Sequence, residues 1–232
     1  MDDKTFAGYF KKDYSYYDVE GIELKTILSL ANFKPNQTLI DIGAAIGRLA
    51  VPLSQYVRVT AIEPNKVLLN EIKNSEIITV NEKIENFFPR DKFDFALIVW
   101  PQFDNYQTIF KHIKDNILKE NGKLIVLKSK QHSLREVTKL LFPELFGEGK
   151  KFHEVLSDYF LIEKEEFIET KHIYPNIETA FELVRFEIEC FYGKKINNEQ
   201  EKVLKSFIEE HENSGKVIMN ALLRVMLCSL TK

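Results

Sequence analysis

Asp41 and Glu63 lie 22 residues apart, each at the end of an apolar run where the chain must turn. Gly43 and Gly47 stand between them in LIDIGAAIGRLA, residues 39 to 50. Glycine reaches positive φ without a Cβ penalty and lets a ligand come close to the backbone. An ionised carboxylate only accepts, so an acid at a strand end can take two hydrogen bonds from the 2′ and 3′ hydroxyls of a ribose. An acid directly before the glycines repels a pyrophosphate but orients a ligand that carries an amine or another cation. A dinucleotide turn requires G-x-G-x-x-G, whereas this one reads G-x-x-x-G.

Each piece also has a plainer reading. A glycine pair can simply close a strand-to-helix corner. A Glu at a strand end can cap a helix or face water. The two together, in register with alternating elements, point to a nucleoside-type ligand.

The elements that must position these residues follow from hydrophobic periodicity. Leu24, Ile27, Leu28 and Ala31 fall at helical spacing. Thr38 to Ile42 reads as a strand, Ile46 to Gln55 as a helix made irregular by Pro52, and Val57 to Ile62 as a strand. Asn65 to Lys73 reads as a helix, Ile77 to Val80 as a strand, and Phe93 to Trp100 as a strand covered on both faces. Asn105 to Leu118 reads as a helix, Asn121-Gly122 as a turn and Leu124 to Leu127 as a strand. A helix from Ser133 to Phe142 turns Leu134, Val137, Leu140 and Leu141 inward. Gly147 to Lys151 reads as a loop, with Phe146 packing beside it, and Glu166 to Tyr174 as a strand. Helices over Asn176 to Tyr192 and Asn197 to Glu212 precede a last strand from Val217 to Cys228. The pattern predicts a doubly wound α/β fold. Its sheet is mainly parallel and seven-stranded, with helices on both faces and an antiparallel last strand.

The chain of 232 residues is expected to form a single domain, residues 1–232. Residues 1–34 form an aromatic and helical cover, 35–130 the cofactor-binding half, and 131–232 the substrate-side cover and final strands. Tyr9, Tyr14, Tyr16 and Tyr17 form either plain packing or a lid. The net charge is −3 and the lysines are scattered, which does not favour a nucleic-acid partner. Cys190 and Cys228, with no CxxC, read as reduced thiols. No His lies at metal-ligand spacing, so no metal is expected. The acidic start is no signal peptide, and the apolar stretch from Val217 to Leu230 is broken by Asn220 and Arg224. A cytoplasmic protein without a membrane segment is expected, monomeric or homodimeric.

The ordered set LIDIGAAIGRLAVPLS, VTAIEPN, FDFALIV and NILKENGKLIVL resembles the class I S-adenosylmethionine-dependent methyltransferases over residues 37 to about 130. The resemblance implies S-adenosylmethionine as cofactor and S-adenosylhomocysteine as product. It implies that Asp41, Gly43, Ala44 and Gly47 line the methionine end and that Glu63 and Pro64 hold the ribose. Lys83, Ile84 and Glu85 would flank the adenine, and Val99, Trp100, Pro101 and Gln102 would face the reacting methyl. The family's middle glycine is Ala45 here, where a methyl fits if the backbone is helical. Many members carry an acid at Lys83, and a lysine cannot accept the adenine amino group. The adenine is then held by backbone groups, as at Ile84, and by apolar contacts.

Methyl transfer needs no enzyme nucleophile, and a base only if the acceptor must lose a proton. His132, after the fifth strand, is the candidate base, with a surface helix-start histidine as its plainer reading; His153 and His172 are weaker candidates. Enzymes that methylate exocyclic amines often carry an Asn/Asp-Pro-Pro-aromatic motif where this chain has Trp100-Pro101-Gln102-Phe103, which counts against that chemistry. The expected acceptor is an oxygen or nitrogen of a small molecule. The alternatives are a non-catalytic binding protein of the same fold and an RNA-modifying enzyme.

Overall fold

The computed structural model describes residues 3–101, 103, 105–145 and 152–231. Gln102, Phe146 and the loop expected over Gly147 to Lys151 lie outside the described residues. The chain opens with α1 (Asp3–Tyr14) and α2 (Ile22–Ala31). Alternation follows: β1 (Thr38–Ile42), α3 (Ala50–Leu53), β2 (Arg58–Ile62), α4 (Lys66–Leu69), β3 (Ile78–Val80) and β4 (Phe93–Val99). Then come α5 (Tyr106–His112), β5 (Leu118–His132), α6 (Ser133–Leu141), α7 (Phe152–Ser157) and β6 (Phe160–Tyr174). The described residues end with α8 (Ile177–Phe191), α9 (Asn198–Glu210), β7 (Glu212–Asn213) and β8 (Lys216–Leu230).

The strand order is β3-β2-β1-β4-β5-β8-β6, with the short β7 paired antiparallel to β8. β1 through β5 are parallel, and the last strands run antiparallel to them. Successive residues Leu39 and Ile40, and Leu97 and Ile98, are all fully buried. Side chains alternate faces along a strand, so both faces of the central sheet are covered. This is the expected mixed α/β architecture.

The chain divides into two compact units. One comprises residues 23–128, 149–168 and 224–232. Its core packs Ile40, Ile98 and Val126 of the sheet with Phe110, Ile113, Phe152 and Leu156 of the helices. The other comprises residues 1–22, 129–148 and 169–223. Its core packs Val137, Leu141, Leu183, Ile188, Leu204 and Ile208. There the N-terminal aromatics meet α8: the Tyr9 ring stacks on Phe186 with centroids 4.9 Å apart, and Phe10 meets Phe191 edge-on. Tyr9 and Tyr16 join this core and Tyr17 is buried, in keeping with the packing reading.

Local differences have local causes. The helix expected from Ile46 begins only at Ala50, because Ala45 and Gly47 take φ of 48° and 79°, outside the helical region. Pro52 is then the third residue of α3, where its missing N–H costs nothing. The helix expected to Lys73 ends at Leu69. The helix expected to run unbroken to Leu118 changes after His112 into a wider π-turn over Ile113–Ile117. Asn121-Gly122 makes a bulge inside β5 rather than a turn before it. The β4–β5 register jumps from Phe93 opposite Leu118 to Phe95 opposite Lys123. A Cβ on Gly122 would lie 2.9 Å from the Lys119 carbonyl oxygen. Leu140, expected inward, is exposed.

Candidate cofactor-binding site

Parallel pairing brings four strand ends to one edge of the sheet. Ile42 stands opposite Ile62 and Ile98, and Ile62 opposite Val80. The residues that follow are Gly43, Glu63, Asn81 and, one residue beyond Val99, Trp100. Ligands of open α/β sheets bind at such carboxyl ends.

The turn after β1 is tied down from within. The N–H groups of Gly43 and Ala44 both donate to the Ile62 carbonyl, at 2.9 and 3.1 Å, and Gly47 N–H donates to Ala44 O at 2.8 Å. Ala45 N–H donates to Glu63 Oε2 at 3.0 Å. Ala45 is left-handed, not helical, with a φ of 48°. The two glycines differ in role. Gly43 has a φ of 76° and is exposed, and a Cβ there would meet nothing within 4 Å. Gly47 is buried, and a Cβ there would lie 2.8 Å from Ile72 Cγ1. A side chain at Gly43 would meet open space, whereas the bare Cα of Gly47 makes room for the chain's own Ile72.

Glu63 is buried and accepts a second backbone bond on Oε1, from Asn65 N–H at 2.8 Å. Burial pushes its carboxyl above the usual range, against the pull of these two N–H donors. Asn65 caps α4 by accepting from Val67 and Leu68, and the Asn81 amide donates to the carbonyls of Glu63 and Pro64. Glu63 is thus held on both carboxylate oxygens by the chain's own backbone.

Asp41 is buried, and burial lifts its carboxyl to about 7. The Arg48 charge opposes that rise, and Glu63 adds to it. Arg48 in turn pairs with Glu23, whose side chain on α2 is fully buried, and the Trp100 indole N–H donates to the same carboxylate at 3.3 Å. Trp100 has a φ of 53°, and its N–H donates to Leu127 O. Sequence reasoning missed Glu23, Arg48, Asn65 and Asn81. The signal for Glu23 was present: with Thr26, Ile27 and Leu30 it completes the buried stripe of α2.

After β3, Ile84 is buried while Lys83 and Glu85 are exposed. The loop does contain a second acid, one residue before Lys83. Glu82 accepts from the Lys83 N–H and the Asn86 amide, and these bonds hold its carboxyl below the ordinary range.

His132 is buried rather than on the surface, and its Nδ1 accepts from the Leu134 N–H at the start of α6. Burial, reinforced by His172, pushes its imidazole down to about 3, so it is neutral at ordinary pH. His132 and His172 belong to the unit that holds residues 129–148 and 169–223. His153 sits beside Arg224, and burial and that charge lower its basicity.

No protein-family model matches the chain. Eighty-nine of its residues are 30% identical to a curated protein of Methanosphaera stadtmanae described as "Probable ribosomal RNA small subunit methyltransferase A". The match covers 38% of this chain and spans about a third (31%) of that relative. Among solved structures, the YcgJ protein of Bacillus subtilis aligns with a TM-score of 0.61 at 13% identity, over 90% of this chain and 97% of that one. Geranyl diphosphate C-methyltransferase of Streptomyces coelicolor, solved with Mg2+, geranyl-S-thiolodiphosphate and S-adenosyl-L-homocysteine, aligns with a TM-score of 0.56 at 11% identity. That alignment covers 92% of this chain and 77% of the other. Among the described residues, no helix is long and apolar enough to cross a membrane. Strand order, parallel register and these likenesses agree: the chain has the fold of the class I S-adenosylmethionine-dependent methyltransferases.

Proposed function

We propose that the chain is an S-adenosylmethionine-dependent methyltransferase that acts on an oxygen or nitrogen of a small-molecule acceptor. The observation that carries this reading is the pair of buried acids, Asp41 and Glu63, at the ends of adjacent parallel strands beside the open backbone of Gly43.

Each Glu63 oxygen already accepts one backbone N–H and keeps a second lone pair, which suits the two ribose hydroxyls. Asp41, once ionised, attracts the amino group at the methionine end. Exposed Gly43 admits that end against the backbone. Buried Ile84 supports the adenine, and the half-buried Trp100 and Pro101, directly after β4, border the side from which the acceptor comes. The cofactor, when bound, supplies a methyl on a sulfonium, already activated for in-line displacement. The chain's own part is positioning and exclusion of water.

Calorimetric titration with S-adenosylhomocysteine tests the reading. Micromolar binding, weakened at least tenfold by Glu63→Gln, is expected. Heat-free titration at millimolar ligand would sink it. Cofactor binding without turnover on a broad acceptor panel would favour the non-catalytic alternative. The partial match to a ribosomal RNA methyltransferase motivates a second reading, an RNA acceptor. Methyl transfer to ribosomal RNA, with salt-sensitive binding, would establish that one instead.

A further inference from the structure

Asp13 on α1, His172 on β6 and Glu187 on α8 meet in the interior of one unit. All three are buried. One carboxylate oxygen from each acid and one ring nitrogen of the histidine lie within 4.8 Å of one another. Nε2 of His172 is 3.2 Å from Asp13 Oδ2, and the Tyr174 hydroxyl donates to Asp13 Oδ1 at 2.9 Å. The imidazole stacks on Tyr174 and lies 4.6 Å, centroid to centroid, from the Tyr17 ring, so its plane is fixed.

Two carboxylates buried together need a compensating positive charge. Among the described residues no lysine or arginine pairs with either. The groups that act on them include each other, His172 and Tyr174, with His132 also facing Asp13 and Tyr192 facing Glu187. A proton can supply the missing charge, since burial and the Asp13 charge push the Glu187 carboxyl well above its usual range. A divalent cation can supply it better, because it neutralises both acids at once and binds the imidazole as well. Two carboxylate oxygens and one imidazole nitrogen form a mixed donor set of the kind zinc(II) accepts. The 3.2 Å between Nε2 and Oδ2 is close to the edge of a tetrahedron with bonds of about 2.1 Å.

We infer that Asp13, His172 and Glu187 form a zinc(II)-type metal site that ties α1, β6 and α8 together. Asp13 binds through Oδ2 while Tyr174 holds Oδ1 in place, an outer hydrogen bond that orients the ligand. On binding, the Glu187 carboxyl gives up its proton to solvent. The Nε2–H of His172 that meets Asp13 Oδ2 leaves Nε2 as the metal binds, by tautomer exchange to Nδ1 or to solvent, and His172 then coordinates through Nε2 with its ring proton on Nδ1. The role is structural, since none of the three residues belongs to the candidate cofactor site. Asp13 and His172 are 159 residues apart, so no spacing rule in the sequence reveals them as a pair.

The test uses the full chain, stripped with a chelator and titrated with ZnCl2 near pH 7. The expected result is one zinc per chain, at least one proton released per ion (read from calorimetry in two buffers of different ionisation enthalpy), and a raised Tm that the chelator reverses. Glu187→Gln is isosteric and neutral and can keep a hydrogen bond to Asp13. It should fold, bind zinc at least tenfold more weakly and lose the zinc-dependent rise in Tm. Absence of saturable binding would overturn the inference. So would zinc binding that Glu187→Gln and His172→Gln leave unchanged, which would place the ion at other histidines. The cluster would then be a carboxyl pair that shares a proton and nothing more.

Discussion

The backbone N–H of Ala45 donates to Glu63 Oε2 over 3.0 Å, so the turn after β1 is anchored on the acid after β2. Together with the Asn65 N–H, the Glu63 carboxylate satisfies two backbone donors. Glu63→Ala removes both acceptors and should cost about 2 kcal/mol or more in urea denaturation. Glu63→Gln keeps one acceptor and should cost about 1 kcal/mol. Both should weaken S-adenosylhomocysteine binding tenfold or more by calorimetry.

Ala45 itself should tolerate glycine. A left-handed alanine is strained by about 1 kcal/mol, and glycine's extra freedom in the unfolded chain offsets about 0.4–1 kcal/mol of that relief. Ala45→Gly should therefore leave stability unchanged or raise it by at most about 1 kcal/mol, with cofactor affinity equal or higher. Ala45→Val places a β-branched residue at positive φ and should lower Tm clearly. Thermal melts of the two variants check the sign of each effect.

Arg48 is the cation between Asp41 and Glu23. Arg48→Met removes the cation paired with fully buried Glu23, leaving its carboxylate no compensating charge from that side, and should cost about 3 kcal/mol, eased by the donor it keeps at Trp100. Adding Glu23→Gln should recover most of that loss. A double-mutant cycle by chemical denaturation measures the coupling, and additive costs would refute the pairing.

Asp41 makes the site sensitive to pH. Its carboxyl sits near 7 in the folded chain against an ordinary value of 3.8. Between those values the folded state holds a proton that the unfolded state has lost. Stability therefore falls as pH rises through that window. Asp41→Asn should match the wild type near pH 4 and exceed it above pH 7 in urea titrations. Ligand binding runs the other way. An amine-bearing ligand favours ionised Asp41, so affinity for S-adenosylhomocysteine should rise from pH 6 to pH 8, and Asp41→Asn should flatten that slope.

His132 stays neutral because its imidazole is pushed down to about 3. A rate–pH profile should show no inflection from it between pH 5 and 9. His132→Asn offers another capping side chain for α6 and should be nearly neutral, while His132→Ala should cost about 1 kcal/mol. An activity loss in His132→Asn with unchanged Tm would instead make His132 a participant in the reaction.

β4 was legible because a parallel strand buried on both faces reads as a nearly continuous apolar run, and β1 and β2 because their buried aliphatic residues fill short runs of strand length. The starts of α8 and α9 were legible because Asn176 and Asn197 are capping residues, and Asn197 forms a capping box with Gln200. Ile46 to Gln55 misled because its apolar pattern is helical, while the left-handed angles at Ala45 and Gly47 are a tertiary outcome of closing the turn on Ile62 and Glu63. Asn121-Gly122 misled because turn chemistry serves a bulge equally well. A Cβ on Gly47 would meet Ile72, a side chain 25 residues downstream, a demand on this glycine that no local pattern shows. Glu23 escaped notice because an acid on an apolar stripe declares its partner only when the turn at Arg48 folds beside it.

The place of β8 carries a kinetic consequence. Inside its unit, residues 224–230 of β8 occupy the slot between β5 and β6, and Met226 and Cys228 complete the core around Phe110 and Phe160. β5 and β6 cannot find their neighbour until β8, which begins 42 residues after the end of β6, arrives. Closing that loop carries a large entropic cost before any pairing rewards it, so the step is slow. Until then the chain displays two open strand edges above an unfilled apolar pocket, the form in which a crowded cell would find it most prone to stick to its own kind.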